Sequence, residues 1–180
     1  MIEKTQASRT VLEDCKTAAS ELTDGISGSA WRWRWVAISA LLRAVGHVLH
    51  SERRTASPEL AAAIEAWWRG ILASKPCPVI FWDFIHAARN DALKEYVLHA
   101  GQSVTIHPLP FSPKSMWGTE DERPSTVPVR PPTEYSYPMT RGPFVGRDQR
   151  EVIAEAIAWW QEQFDAIDAD AAARAMSTTA

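Results

Sequence analysis

Six large apolar side chains spaced three or four residues apart, Trp31, Trp35, Ile38, Leu42, Val45 and Leu49, constrain this chain more than any other feature. That spacing marks one face of an α-helix. It predicts a helix from about Ser29 to Ser51, with Ser27-Gly28-Ser29 as the turn and cap before it, and with Arg32, Arg43 and Glu52 turned away from the stripe. The apolar run is broken by Arg32, Arg34, Arg43 and His47. A membrane span needs about 20 predominantly apolar residues, so the segment reads as the buried centre of a helical bundle.

Four further helices are expected around it. Val11, Leu12, Cys15, Ala18, Ala19 and Leu22 share a face over Ser8 to Thr23, and Asp24-Gly25 stops that helix. Ser57 is a good N-cap for a third helix, with Pro58 at its first position and Leu60, Ile64, Trp67, Trp68, Ile71 and Leu72 on its core face. A fourth starts near Pro78 and carries Phe81, Phe84, Ile85, Ala88, Ala92 and Tyr96 to a stop at Ala100-Gly101. A fifth, from about Arg147 to Ala173, places Val152, Ile153, Ala156, Ile157, Trp160, Phe164 and Ile167 in one stripe, with Asp148 and Glu151 as a capping pair. The closing MSTTA should fray.

Between the last two helices the composition changes: nine of the 12 prolines fall from Pro108 to Pro143. Such a stretch cannot be helical. Val104 to His107 reads as a short strand that pairs near Val127 to Arg130 or near Tyr135 to Tyr137, and Trp117, Tyr135, Tyr137 and Phe144 suit a loop that packs on the bundle. The expected organisation is therefore a single all-α domain, a five-helix bundle with a Pro-rich irregular excursion that includes a short β-hairpin. Residues 1–101 form the bundle core, 102–146 the excursion, and 147–175 the completing helix.

Composition narrows the function classes. Apolar residues at 46% and charged residues at 23% describe a globular chain rather than a disordered one. A net charge of −3 argues against a protein that coats nucleic acid, while leaving room for a local basic cleft. Cys15 and Cys77 stand apart, which suits free thiols in a reducing cytosol, and the charged N-terminus lacks the apolar run of a signal peptide. A cytoplasmic protein without a membrane anchor is the expectation, and no cofactor is expected.

Dinucleotide, P-loop, zinc-protease and nucleophile-elbow signatures are absent. His47 and His50 lie three apart on a helix but lack the company a metal site needs, so they read as helix-surface or core histidines. Arg32-Trp33-Arg34 resembles a nucleic-acid patch, yet arginines that cover neighbouring aromatic surface explain it more simply.

The fourth helix carries the remaining signal, FWDFIHAARNDALKEYVLHAG, in which Arg89-Asn90 is followed by Lys94 and Tyr96. This arrangement resembles the HEPN superfamily of helical bundles, whose signature is Arg, a polar residue, three residues and then His. The toxins of HEPN–MNT toxin–antitoxin pairs add a Tyr two positions later. The resemblance covers about residues 29 to 101.

It implies metal-independent RNA cleavage at Arg89, Asn90 and Lys94, commonly in a homodimer, and a toxin or defence role. It also implies an antitoxin or nucleotidyltransferase partner, for which Tyr96 would be the position of modification. Lys94 stands where the family has His. A lysine with a pKa of about 10.4 holds its proton at neutral pH, whereas imidazole near 6.5 exchanges it. His86 shares the ideal helix face of Asn90 and Lys94 and could supply the imidazole. The same residues also fit a catalytically inactive module that binds a protein or a nucleotide. They fit an ordinary structural helix as well, with Arg89 on a turn or on Glu95 and the Tyr96 ring in the core.

Overall fold

The structure is a computed structural model that describes residues 5–107 and 133–179. Helix α1 spans Gln6–Ser20, α2 Gly28–Glu52, α3 Pro58–Ala73 and α5 Gln149–Thr179. Between α3 and α5 lie a π-helical segment, Ile80–Ala88, and the short α4, Arg89–Lys94. Strands β1, Ser103–Ile106, and β2, Thr133–Ser136, pair antiparallel with Val104 opposite Tyr135. The protein is thus mostly helical with a two-stranded ribbon, and the expected pairing near Tyr135 is formed. Trp117 and Val127 to Arg130 lie outside the described residues, as does the Pro-rich stretch 108–132.

The α2 stripe is the axis of the core: Trp31, Trp35, Ile38, Leu42, Val45 and Leu49 are all buried. Helix α1 packs along α2, and α3 packs on α5. From α5, Trp160 is fully buried; its indole N–H donates to the Leu42 carbonyl at 3.1 Å, and its ring stacks on Phe164. Phe81 and Trp67 close the cage around it at 6.1 and 5.8 Å. Phe84 of the π segment meets Trp35 on one side and Phe144 on the other. Tyr137, Met139 and Phe144 join the core from the chain after β2.

Helix ends follow local chemistry. Ser57 accepts the Leu60 N–H at 3.3 Å and Pro58 begins α3. Asp148 caps α5 through the Arg150 N–H at 2.7 Å, and Glu151 lies in the first turn. Helix α1 starts at Gln6, two residues ahead of the expected Ser8, because the Glu52 carboxylate at the end of α2 accepts the Ala7 and Ser8 N–H groups. These are donors that a first helical turn leaves orphaned. It ends at Ser20 rather than Thr23, with Leu22 still buried beyond it. Leu72, expected in the core, is half-exposed. The helix α5 continues to Thr179, past the expected end and through most of the MSTTA that was expected to fray.

The largest correction concerns the fourth helix. It stops at Lys94 instead of Ala100-Gly101, because Tyr96 turns into the left-handed region at φ 54°. The Val97 N–H reaches back across that turn to the Asp91 carbonyl at 3.1 Å. Beyond it, His99 and Ala100 pair with the segment around Met139 and Thr140 instead of extending the helix. Tyr96 is 66% exposed, so its ring is not a core element.

Candidate anion site between helices α2 and α4

Helix α2 packs against both the π segment and α4, which brings two sets of cationic side chains together. Arg43, His47 and His50 come from α2; His86 comes from the π segment, and Arg89, Asn90 and Lys94 from α4. Partial burial and the nearby Arg89 pull the Arg43 guanidinium below its ordinary range. His86 is lowered from 6.5 by burial first, then by Arg43, Lys75, Arg89 and Lys94. Partial desolvation, Arg43, Arg89 and His50 lower His47 in turn. Like charges held together without a counter-ion disfavour their own charged forms.

Among the described residues no carboxylate pairs with Arg43 or Arg89. Asp91, next to the motif, is engaged by His99 at 2.7 Å. Arg89 donates from Nη1 to Asn90 Oδ1 at 3.0 Å, which fixes the fork, while its buried Nε has no acceptor. A buried donor on a cation without an acceptor is costly. The cluster has the composition of a site for an anion.

The motif residues separate within it. Arg89 opens α4 and is half-buried; Lys94 closes α4 and is exposed. Five α-helical residues set them about 140° apart. His86 is the group whose surroundings include both. Tyr96 stands beyond the helix end. Glu95, an expected partner of Arg89, forms no salt bridge among the described residues.

Sequence reasoning missed Arg43, which was set aside only as a residue off the apolar stripe. The signal available was its position one turn before His47, on a face that α4 must approach. The other basic-aromatic patch resolves plainly: Arg34 lies over the Trp33 ring at 4.3 Å and is tied to Glu21 at 3.1 Å. Among the described residues no group of His, Cys, Asp and Glu side chains is arranged to hold a metal ion. Among them, too, no helix is long and apolar enough to cross a membrane.

No protein-family model, curated protein or solved structure matches this chain.

The depressed imidazoles make the site sensitive to pH, and the sign is fixed. A histidine lowered by folding takes up a proton more readily in the unfolded chain, so stability is full above about 6.5 and is lost as pH falls towards the lowered native values. Thermal unfolding at pH 7.5 and 5.5 should therefore show a smaller decrease in the double variant His47→Gln, His86→Gln than in the parent. Equal decreases would mean that the cluster imposes no penalty on the two rings.

Proposed function

We propose that this is a HEPN-like protein that acts on RNA at the Arg43–Arg89 cluster, as a metal-independent endoribonuclease of toxin or defence type. The observation that carries the reading is the unanswered charge: cations from α2 and α4 converge on the Arg89-Asn90 motif without a carboxylate among the described residues. The RNA backbone is the polyanion such a site suits.

In this reading His86, kept neutral near pH 7 by burial and its cationic neighbours, accepts the proton of a ribose 2′-hydroxyl. The freed oxygen attacks the adjacent phosphorus, and the 5′-oxygen departs with a proton from Lys94. The products are a 2′,3′-cyclic phosphate and a 5′-hydroxyl. Arg89, oriented by Asn90, stabilises the charge that builds on the phosphoryl oxygens, and Arg43 adds to it. A homodimer would complete the site by bringing a second α4 to the first. Tyr96, exposed just past α4, is accessible to a modifying nucleotidyltransferase partner.

A second reading, an inactive HEPN-like module that binds a protein or nucleotide, is favoured by the divergence of Arg89 and Lys94 along α4. Incubating the protein with total RNA in the presence of a chelator separates the two. Cleavage that persists with chelator and disappears in Arg89→Ala supports the ribonuclease. Intact RNA at high protein concentration sinks that reading and leaves the binding module.

A further inference from the structure

The cationic cluster has a neighbour that phosphate recognition does not use. Between α2, α3 and the π segment lies a pocket of about 160 Å³. One side presents Arg43, His47 and His50, and the other presents Trp67, Trp68 and Phe81. The aromatic wall is shaped by its own packing: Trp67 and Trp68 sit 6.0 Å apart, and Phe81 meets Trp68 edge-on at 6.2 Å. Trp67 is anchored by its indole N–H to Gln163 at 3.0 Å. The Trp68 indole has no hydrogen-bond partner among the described residues. On the opposite wall the pocket is floored at Gly46, where a Cβ would come within 3.2 Å of the buried Trp160 ring and 3.4 Å of Arg43 Nη1.

We infer that this pocket receives one unstacked nucleobase of the RNA, placed against Trp67, Trp68 and Phe81 while the phosphate attached to it lies on Arg43 and Arg89. The inference rests on the RNA reading above and adds a substrate class, single-stranded RNA, because a base held in a duplex cannot enter. Size and chemistry lead to it. Ligand pockets for whole drug-sized molecules run to about 300–1,000 Å³, so 160 Å³ takes a single ring system with the rest of the ligand outside. An uncharged apolar guest would strip water from Arg43 at the mouth without repaying its charge. A base joined to a phosphate satisfies both walls, since every base has a π-face for the tryptophans and carries its anion within reach of the guanidinium. Arg43 belongs to both halves, as a wall of the pocket and as the neighbour of Arg89.

The test uses tryptophan fluorescence titration with ribose 5-phosphate, each of the four nucleoside 5′-monophosphates, and a single-stranded RNA 10-mer beside its duplex. At least one monophosphate should bind about 5- to 150-fold more tightly than ribose 5-phosphate, the range expected from stacking one base on aromatic side chains. Trp68→Leu should erase that difference while leaving ribose 5-phosphate binding unchanged, with circular dichroism confirming the fold. The comparison on the parent protein stands even if the variant does not fold. If none of the four binds more tightly than ribose 5-phosphate, the base pocket is overturned, and Arg89-dependent binding of the 10-mer would still uphold the RNA reading. If the base preference is present but the 10-mer binds no better than a monophosphate, the pocket stands and the RNA reading falls. Equal affinity for 10-mer and duplex overturns the single-strand assignment.

Discussion

Trp160→Ala is expected to remove about 3–5 kcal/mol of stability. The ring is fully buried and touches aromatic partners from α3, the π segment and α5, while its N–H reaches α2. Truncation therefore opens a cavity where four elements meet, and few neighbours can collapse into it. Domains commonly hold only about 5–15 kcal/mol in total, so the variant should sit near its unfolding threshold. Trp160→Phe separates the contributions: it keeps a ring against Phe164 and gives up the bond to Leu42, and should cost about 1–2 kcal/mol. Urea unfolding monitored by circular dichroism measures both. A loss below about 1 kcal/mol for the alanine variant would mean that the cage does not hold the bundle together.

If the protein cleaves RNA as proposed, Arg89→Ala is expected to lower that cleavage by about 10²- to 10³-fold, the usual effect of removing one donor from a site that stabilises developing negative charge. Its stability should change little or rise, because the substitution removes a half-buried cation that has no carboxylate partner among the described residues and a buried Nε without an acceptor. That combination, activity lost with stability kept or gained, distinguishes a functional arginine from a structural one. Arg89→Lys restores charge without the fork that Asn90 orients, and should recover only part of the rate. A parallel loss of folding and cleavage in Arg89→Ala would assign the residue to the core instead.

Much of the scaffold was legible because it obeys one rule. The α2 stripe buries every apolar position that its three-four spacing selects, from Trp31 to Leu49, and the α5 stripe does so from Val152 to Ile167 except at the half-buried Ile157. The start of α3 was legible from Ser57-Pro58 for the same kind of local reason. The end of α4 was not. A helix stop is read from glycine, and the next glycine after Ala92 is Gly101; the chain instead stops at a tyrosine in the left-handed region, an unusual choice that carries no compositional mark. The start of α1 was hidden as well, since its cap is Glu52, more than forty residues away.

The candidate site divides in the same way. Arg89, Asn90 and Lys94 were visible as a run in sequence, but the partners from α2 were not, because Arg43 and His47 join them only through helix packing. Wheel geometry does not describe this point. It assumes uniform α-helical pitch, whereas Ile80–Ala88 is wound as a wider π-helix with bonds to the fifth residue. The relation of His86 to Arg89 therefore could not be read from 100° steps.

Thr5 and Arg9 are fastened to α5, the former by its N–H and hydroxyl on Asp168 and the latter by its guanidinium on Asp165 and Asp168. These bonds span 156 to 163 positions of sequence. During synthesis, at about 5–20 residues per second, α1 must wait for nearly the whole chain before its last partners exist, and the Trp160 cage waits with it. The nascent polypeptide therefore carries α2, with its tryptophans covered on one side only by α1, as a partly sheltered apolar surface for about six to twenty-five seconds of translation at that rate. In the cell this makes the interval before α5 emerges, and not the finished fold, the stage at which chaperones would have most to do.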